Sequence, residues 1–337
     1  MDAQDAVLTA FAALGLDADL IDPGTTVHGV PDFVVQIGDR TLVGEVKSIV
    51  TRASVSHLVR WANQLGRPAI VVADRIAEDA KTTLRHAGLN YLDRRGELRL
   101  FDGPLKIDAR VPSSVQASSS EPLSSQVAQE VAITCLIRPD EPHGVREIAT
   151  YIERAPSAVS KAMAGLRTEG LLTSQGEPAV PDLFRELAVR WRRRPIALLN
   201  LPRPGTGTTN AQLELGFDQP EATTGWALTD TLAAAAWGMP IVARGDYPPD
   251  FYVPSAAALR RAISLLGKAD DTKRRACTVA IAPVRLVCLR RLDRAQISGE
   301  VWPVANHIVV ALDIAADKAR GLEALDQWQP KGIARAW

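Results

Sequence analysis

Pro31-Asp32, followed twelve residues later by Glu45-Val46-Lys47, is the stretch on which the reading of this chain turns. Between the two pieces lie Phe33-Val34-Val35-Gln36-Ile37 and Thr41-Leu42-Val43-Gly44-Glu45-Val46, two apolar runs rich in β-branched residues and joined by Gly38-Asp39-Arg40. Such side chains suit a pleated surface, and a short glycine-bearing connection closes an antiparallel pair, so the spacing predicts a hairpin. Side chains alternate along a strand, which puts Glu45 and Lys47 on one face. Two acids and a lysine so placed can hold Mg²⁺ beside a phosphodiester, because this hard cation takes oxygen ligands and keeps waters that can be activated for attack. On that reading Asp32 and Glu45 are the metal ligands, and Lys47 orients the water or offsets charge on the phosphate oxygens. The same residues also read as a hairpin-entry aspartate and an ordinary cross-strand charge pair of little energetic weight.

Working outward, apolar periodicity predicts a helix over 3–15, a second near 56–65, a strand over 69–73 and a helix over 76–87. Gly88 ends that last helix, and a short strand and a turn at Arg95-Gly96 follow. With Pro31-Asp32 and Glu45-Val46-Lys47, these parts resemble the PD-(D/E)xK nuclease fold over roughly residues 5–110. The resemblance implies a restriction-endonuclease-like mixed sheet, a catalytic set of Asp32, Glu45 and Lys47, and Gln64 as an accessory residue, as in some members. It does not decide between an active site and a retained scaffold.

The 337 residues, 46% hydrophobic and 23% charged, describe a globular chain of two or three domains, not a disordered one. No apolar run reaches the roughly 18 residues that span a bilayer, and Met1-Asp2-Ala3-Gln4-Asp5 lacks the positive start of a secretory signal, so a cytoplasmic protein without a membrane partner is expected. Cys135, Cys277 and Cys288 are far apart in apolar surroundings and read as small buried hydrophobes. The five histidines show no metal-binding spacing and read as surface or capping residues. Net charge is zero, which argues against bulk nonspecific nucleic-acid binding but leaves room for a local basic face.

Residues 111–122, with five serines and two prolines, read as a flexible linker between the first domain (1–110) and a second (123–194). In the second, helices are expected over 126–137, 145–152 and 156–169, the last two joined by a three- or four-residue turn and the third opening on Pro156. Ile148, Ala149, Ile152, Val159, Met163 and Leu166 would form its core. A strand, tight turn and strand over 170–180 complete a resemblance to a winged helix-turn-helix. A recognition helix presents residues near its N-terminus to base edges, which selects Ser157, Ser160 and Lys161, with Arg167 for phosphate. Arg190, Arg192, Arg193 and Arg194 add a basic cluster that reads as a phosphate contact or as a solvated helix end. The fold could also serve for dimerisation or protein docking.

The remainder, 195–337, is expected to be an α+β domain: a connector at Gly205-Thr206-Gly207-Thr208-Thr209-Asn210, a helix over 225–238, strands over 279–282 and 285–289, and a run over 304–325 that carries Asp313 and Asp317 on one helix face, as solvated or capping residues or as a metal or partner contact. Tyr91-Leu92-Asp93, the winged helix, 225–254 and Ala311-Leu312-Asp313 onward, in that order, resemble the AbiEi antitoxins of type IV toxin–antitoxin systems. That resemblance implies an α/β multidomain regulator that binds double-stranded DNA, autorepresses its operon and neutralises a cognate toxin, with homodimers common among winged-helix regulators. The nuclease-like domain departs from the minimal family pattern. Three readings follow: a DNA-binding regulator, a Mg²⁺-dependent endonuclease targeted by the winged helix for defence, and a protein-docking module.

Overall fold

The computed structural model describes residues 2–21, 31–115, 122–202, 212–217, 219–241, 247–270, 275–297, 300–317, 321–330 and 332–337. The Gly205–Asn210 connector and residues 116–121 of the Ser/Pro-rich linker lie outside the described residues. The chain forms two compact units of mixed α/β structure. The first comprises Met1–Glu121, Asp140–Pro142 and Ala164–Leu183, and the second Pro122–Pro139, His143–Met163 and Phe184–Trp337.

The first unit is built on a seven-stranded sheet whose strands lie in chain order: β1 (Ala18–Ile21), β2 (Phe33–Ile37), β3 (Arg40–Val50), β4 (Ala69–Ile76), β5 (Asn90–Asp93), β6 (Glu97–Asp102) and β7 (Leu105–Arg110). β1, β2 and β3 form an antiparallel meander, β3, β4 and β5 are parallel, and β5, β6 and β7 are antiparallel. The β2–β3 turn is two residues long because Gly38 takes φ 58°, which lets Ile37 pair with Arg40. Each parallel step needs a crossover helix, supplied by α2 (Arg52–Leu65) and α3 (Glu78–His86). Both helices cover one sheet face, where Val55, Leu58, Ala80 and Leu84 pack on Ile49, Val71, Ala73 and Tyr91. α1 (Ala3–Ala12) covers the other with Val7, Ala10 and Phe11 against Phe33, Val35, Leu42, Ile70 and Val72. β3 and β4 run beyond the expected ends, and α2 begins four residues before residue 56, where Ser54 Oγ accepts from the Thr51 N–H.

In the second unit α4 (Gln126–Ile137), α5 (Val145–Ile152) and the start of α6 (Pro156–Thr168) precede a six-stranded sheet. Its strands are β8 (Ile196–Leu198), β9 (Ala227–Thr229), β10 (Asp250–Val253), β11 (Cys277–Ile281), β12 (Arg291–Ile297) and β13 (Glu300–Ala305), in the spatial order β12-β13-β9-β10-β11-β8. Three helix bounds match the periodicity to within a residue, since local caps fix them: Ser125 Oγ accepts from the Ala128 N–H, and Pro156 opens α6. Two expectations are corrected. Residues 225–238 are not one helix: Ala227–Thr229 pair with both neighbours as β9, and the helix starts at Asp230. Residues 285–289 are a helical turn, Leu286–Leu289, because the strand pairing belongs to the segments on either side.

All three cysteines are buried, and none of them forms a disulfide. His143 and His307, expected as surface or capping residues, are buried, and His143 bonds through Nε2 to the carbonyl of Arg138, the residue that ends α4. Among the described residues no helix is long and apolar enough to cross a membrane.

Candidate functional site

The acidic pair sits where the β2–β3 ladder ends. Phe33 pairs with Gly44 at the last step of the ladder, with Asp32 just before β2 and Glu45 next along β3. Gly44 is required here: a Cβ on it would lie 2.1 Å from the Phe33 ring. The Asp32 carboxylate accepts from the Val46 N–H (2.6 Å), and the Asp32 N–H donates to the Gly44 carbonyl (3.0 Å). Lys47 Nζ donates to Glu45 Oε1 (2.5 Å), with both side chains partly exposed. Ion-pair and hairpin-end roles are therefore filled by these residues as they stand. Two carboxylates on adjacent strands are also a hard-oxygen donor set of the kind Mg²⁺ takes, so the residues fit the metal in chemistry. Among the described residues no group of three or more His, Cys, Asp or Glu is placed to hold a metal ion. Gln64 is exposed near the end of α2, and among the described residues no hydrogen bond joins it to Asp32, Glu45 or Lys47.

The second region is α6. A turn of three residues, 153–155, joins it to α5, with Glu153 in the left-handed region at φ 51°. Ile148, Ala149, Ile152, Val159, Met163 and Leu166 are buried. Ser157, Ser160 and Lys161, spaced i, i+3, i+4 on the opposite side, are exposed. After α6 the chain closes a narrow hairpin through Thr173 N–H to the Glu177 carbonyl (2.9 Å) and Ala179 N–H to the Leu171 carbonyl (3.0 Å). Arg167 is half-buried and donates from Nε to the Thr173 carbonyl (3.1 Å), so it holds the hairpin.

The arginine cluster divides by burial. Beyond α7 (Asp182–Arg190) Trp191 is buried and Arg193 half-buried, whereas Arg192 and Arg194 are exposed. Arg190 Nη1 is held by Glu186, through its carbonyl and Oε2 (both 2.9 Å). Arg193 is removed from the set of phosphate-contact candidates. Its Nη1 donates to Asp230 Oδ2 (2.6 Å), and its Nη2 meets Asp250 Oδ1 (2.9 Å) and Thr278 Oγ1 (3.0 Å). Burial works against the Arg193 charge, yet the carboxylates of Asp313, Asp250 and Asp230 hold its pKa above the ordinary value.

The centre of this network is Asp313, which the sequence placed on a solvated face and the fold buries. Its Oδ1 accepts from Trp191 Nε1 (2.7 Å) and Tyr252 OH (2.5 Å), and its Oδ2 from Thr229 Oγ1. Burial pushes its carboxyl up to about 6, against the opposing pull of Arg193 and the three donors. Burial likewise raises Asp250 and, with Asp313 beside it, Tyr252. Sequence reasoning missed this constellation. The available signal was a lone aspartate inside the otherwise apolar helix His307–Ala315. The network anchors Trp191 and Arg193 to Asp230, β10, β11 and the helix His307–Ala315. Comparison with known proteins finds no family model that matches this chain and no match among curated proteins.

Proposed function

We propose that this chain is a double-stranded DNA-binding regulator of the AbiEi antitoxin kind, reading duplex DNA with a winged helix-turn-helix. The observation that carries the reading is the exposed set Ser157, Ser160 and Lys161 on one side of α6, beside a three-residue turn and opposite a buried Val159, Met163 and Leu166. A helix whose early turns offer short hydroxyls and a lysine suits base edges in the major groove, and the exposed Arg192 and Arg194 suit phosphate. Under this reading the α+β remainder serves partner contact, with a cognate toxin and a second copy of the chain as partners. The test is a mobility shift of labelled duplexes selected from a randomised pool by the chain. Retention of a distinct sequence class supports the reading; salt-sensitive binding with no sequence preference defeats it.

A second reading is favoured by a specific observation. The order α1-β1-β2-β3-α2-β4 brings the Asp32 carboxylate onto the Val46 N–H, between Glu45 and Lys47, which supports a PD-(D/E)xK-like first unit and a Mg²⁺-dependent endonuclease. Bound Mg²⁺ would supply a water activated for attack on phosphorus. Asp32 and Glu45 would hold the metal. Lys47 would leave its pairing with Glu45 to offset charge on the phosphate oxygens. Plasmid nicking that requires Mg²⁺ decides between this activity and a scaffold role.

A further inference from the structure

We infer that Arg285 and Arg290, with Glu130 and Arg154, form a positioning clamp on the turn before α6 and set the orientation in which Ser157, Ser160 and Lys161 are presented. The inference rests on the DNA-binding reading above, and all of the clamp lies within the second unit.

The last carbonyls of a helix lack intrahelical partners and need donors from elsewhere. At the end of α5 these donors come from a distant part of the chain. Arg285 Nη2 donates to the carbonyls of Ile152 and Glu153 (both 3.3 Å) and pairs with Glu153 Oε2 (2.9 Å). Arg290 Nε donates to the Tyr151 carbonyl (3.0 Å), and its guanidinium lies 5.2 Å from the centre of the Tyr151 ring. The two arginines flank the helical turn Leu286–Leu289, between β11 and β12. Arg154, the middle residue of the turn, meets the buried Glu130 of α4 through Nε (2.8 Å) and Nη2 (3.1 Å). Glu130 Oε1 in turn accepts from the Leu286 N–H (3.3 Å). A three-residue turn leaves little freedom between two helices, so groups that hold Glu153 and Arg154 also fix the first turn of α6. The donors are cations at a helix C-terminus, where the dipole favours positive charge.

Arg285 and Arg290 are positioning residues in this account, not DNA ligands, and the distinction is measurable. A direct phosphate contact contributes about one to the slope of log affinity against log salt, whereas a residue acting through the turn contributes nothing to it. The experiment compares the full chain with R285A/R290A on one labelled duplex selected from a randomised pool by the unmodified chain, across a potassium chloride series. The expected result is a Kd raised by roughly 2- to 30-fold, the span of coupling changes of this kind, with an unchanged salt slope and circular dichroism. R285A alone, at a partly exposed position, shows the same trend more weakly and replaces the double variant if that chain fails to fold. A slope lowered by about two makes both arginines phosphate ligands and overturns the clamp. Unchanged affinity in the variants, with tight binding by the unmodified chain, overturns the clamp and leaves the DNA reading standing. No binding by the unmodified chain overturns the DNA reading, and the clamp with it.

Discussion

Replacing Asp313 with asparagine should change how the stability of the second unit depends on pH. The Asp313 carboxyl is buried and titrates near pH 6, above its usual 3.8. The folded state therefore binds its proton more tightly than the unfolded chain does. The stabilisation that follows is fully present below pH 3.8 and is lost as pH rises through about 6, a change on the order of 3 kcal/mol. Asparagine resembles the neutral acid: its oxygen can accept from Trp191 and Tyr252, and its amide can donate to Thr229 once that hydroxyl turns. It has no proton to lose. Chemical denaturation at pH 4 and at pH 7.5, followed by near-ultraviolet circular dichroism, measures the difference between parent and D313N. Comparing the two chains at each pH cancels the titration of other groups, including Asp79, which burial also pushes up to about 6. The variant should gain on the parent by about 2 kcal/mol between the two conditions, since part of the effect is already lost at pH 4. A difference that stays constant, or a variant that falls behind as pH rises, would refute the burial argument.

Three further outcomes are expected. R193A should destabilise the chain by about 3–5 kcal/mol, because it strips a cation from the buried Asp250 and the half-buried Asp230, whereas R192A and R194A should stay within about 0.5 kcal/mol of the parent in thermal denaturation. G44A should lower stability by about 1–3 kcal/mol through overlap with the Phe33 ring, read from a shifted urea midpoint. If the purified chain nicks plasmid in Mg²⁺, K47A should abolish nicking and leave duplex affinity nearly unchanged, since Lys47 acts on developing charge; nicking that survives the change removes Lys47 from the reaction.

Elements bounded by local chemistry were legible in the sequence, and those defined by distant partners were not. The β2–β3 hairpin and the three helices from Gln126 to Thr168 carry their own signals: a glycine turn, a serine cap, a helix-opening proline and apolar repeats. Ala227–Thr229 carries none, because three residues ahead of an alanine-rich run become a strand only through pairing with Asp250–Val253 and Glu300–Ala305. The candidate sites show the same division. Exposure of Ser157, Ser160 and Lys161 follows from helical periodicity alone. The pairing of Arg193 depends on Asp230 and Asp250, carboxylates 37 and 57 residues further along the chain. The buried role of Asp313 depends likewise on donors from three separate elements.

The central claim is that α6 reads duplex DNA, and the most direct measurement of it is the sequence preference of S157A/K161A against the parent chain, both profiled on one randomised duplex pool. Loss of base contacts should relax discrimination by about 1–3 kcal/mol at each position they read while the fold is kept. An identical preference profile in parent and variant would contradict it.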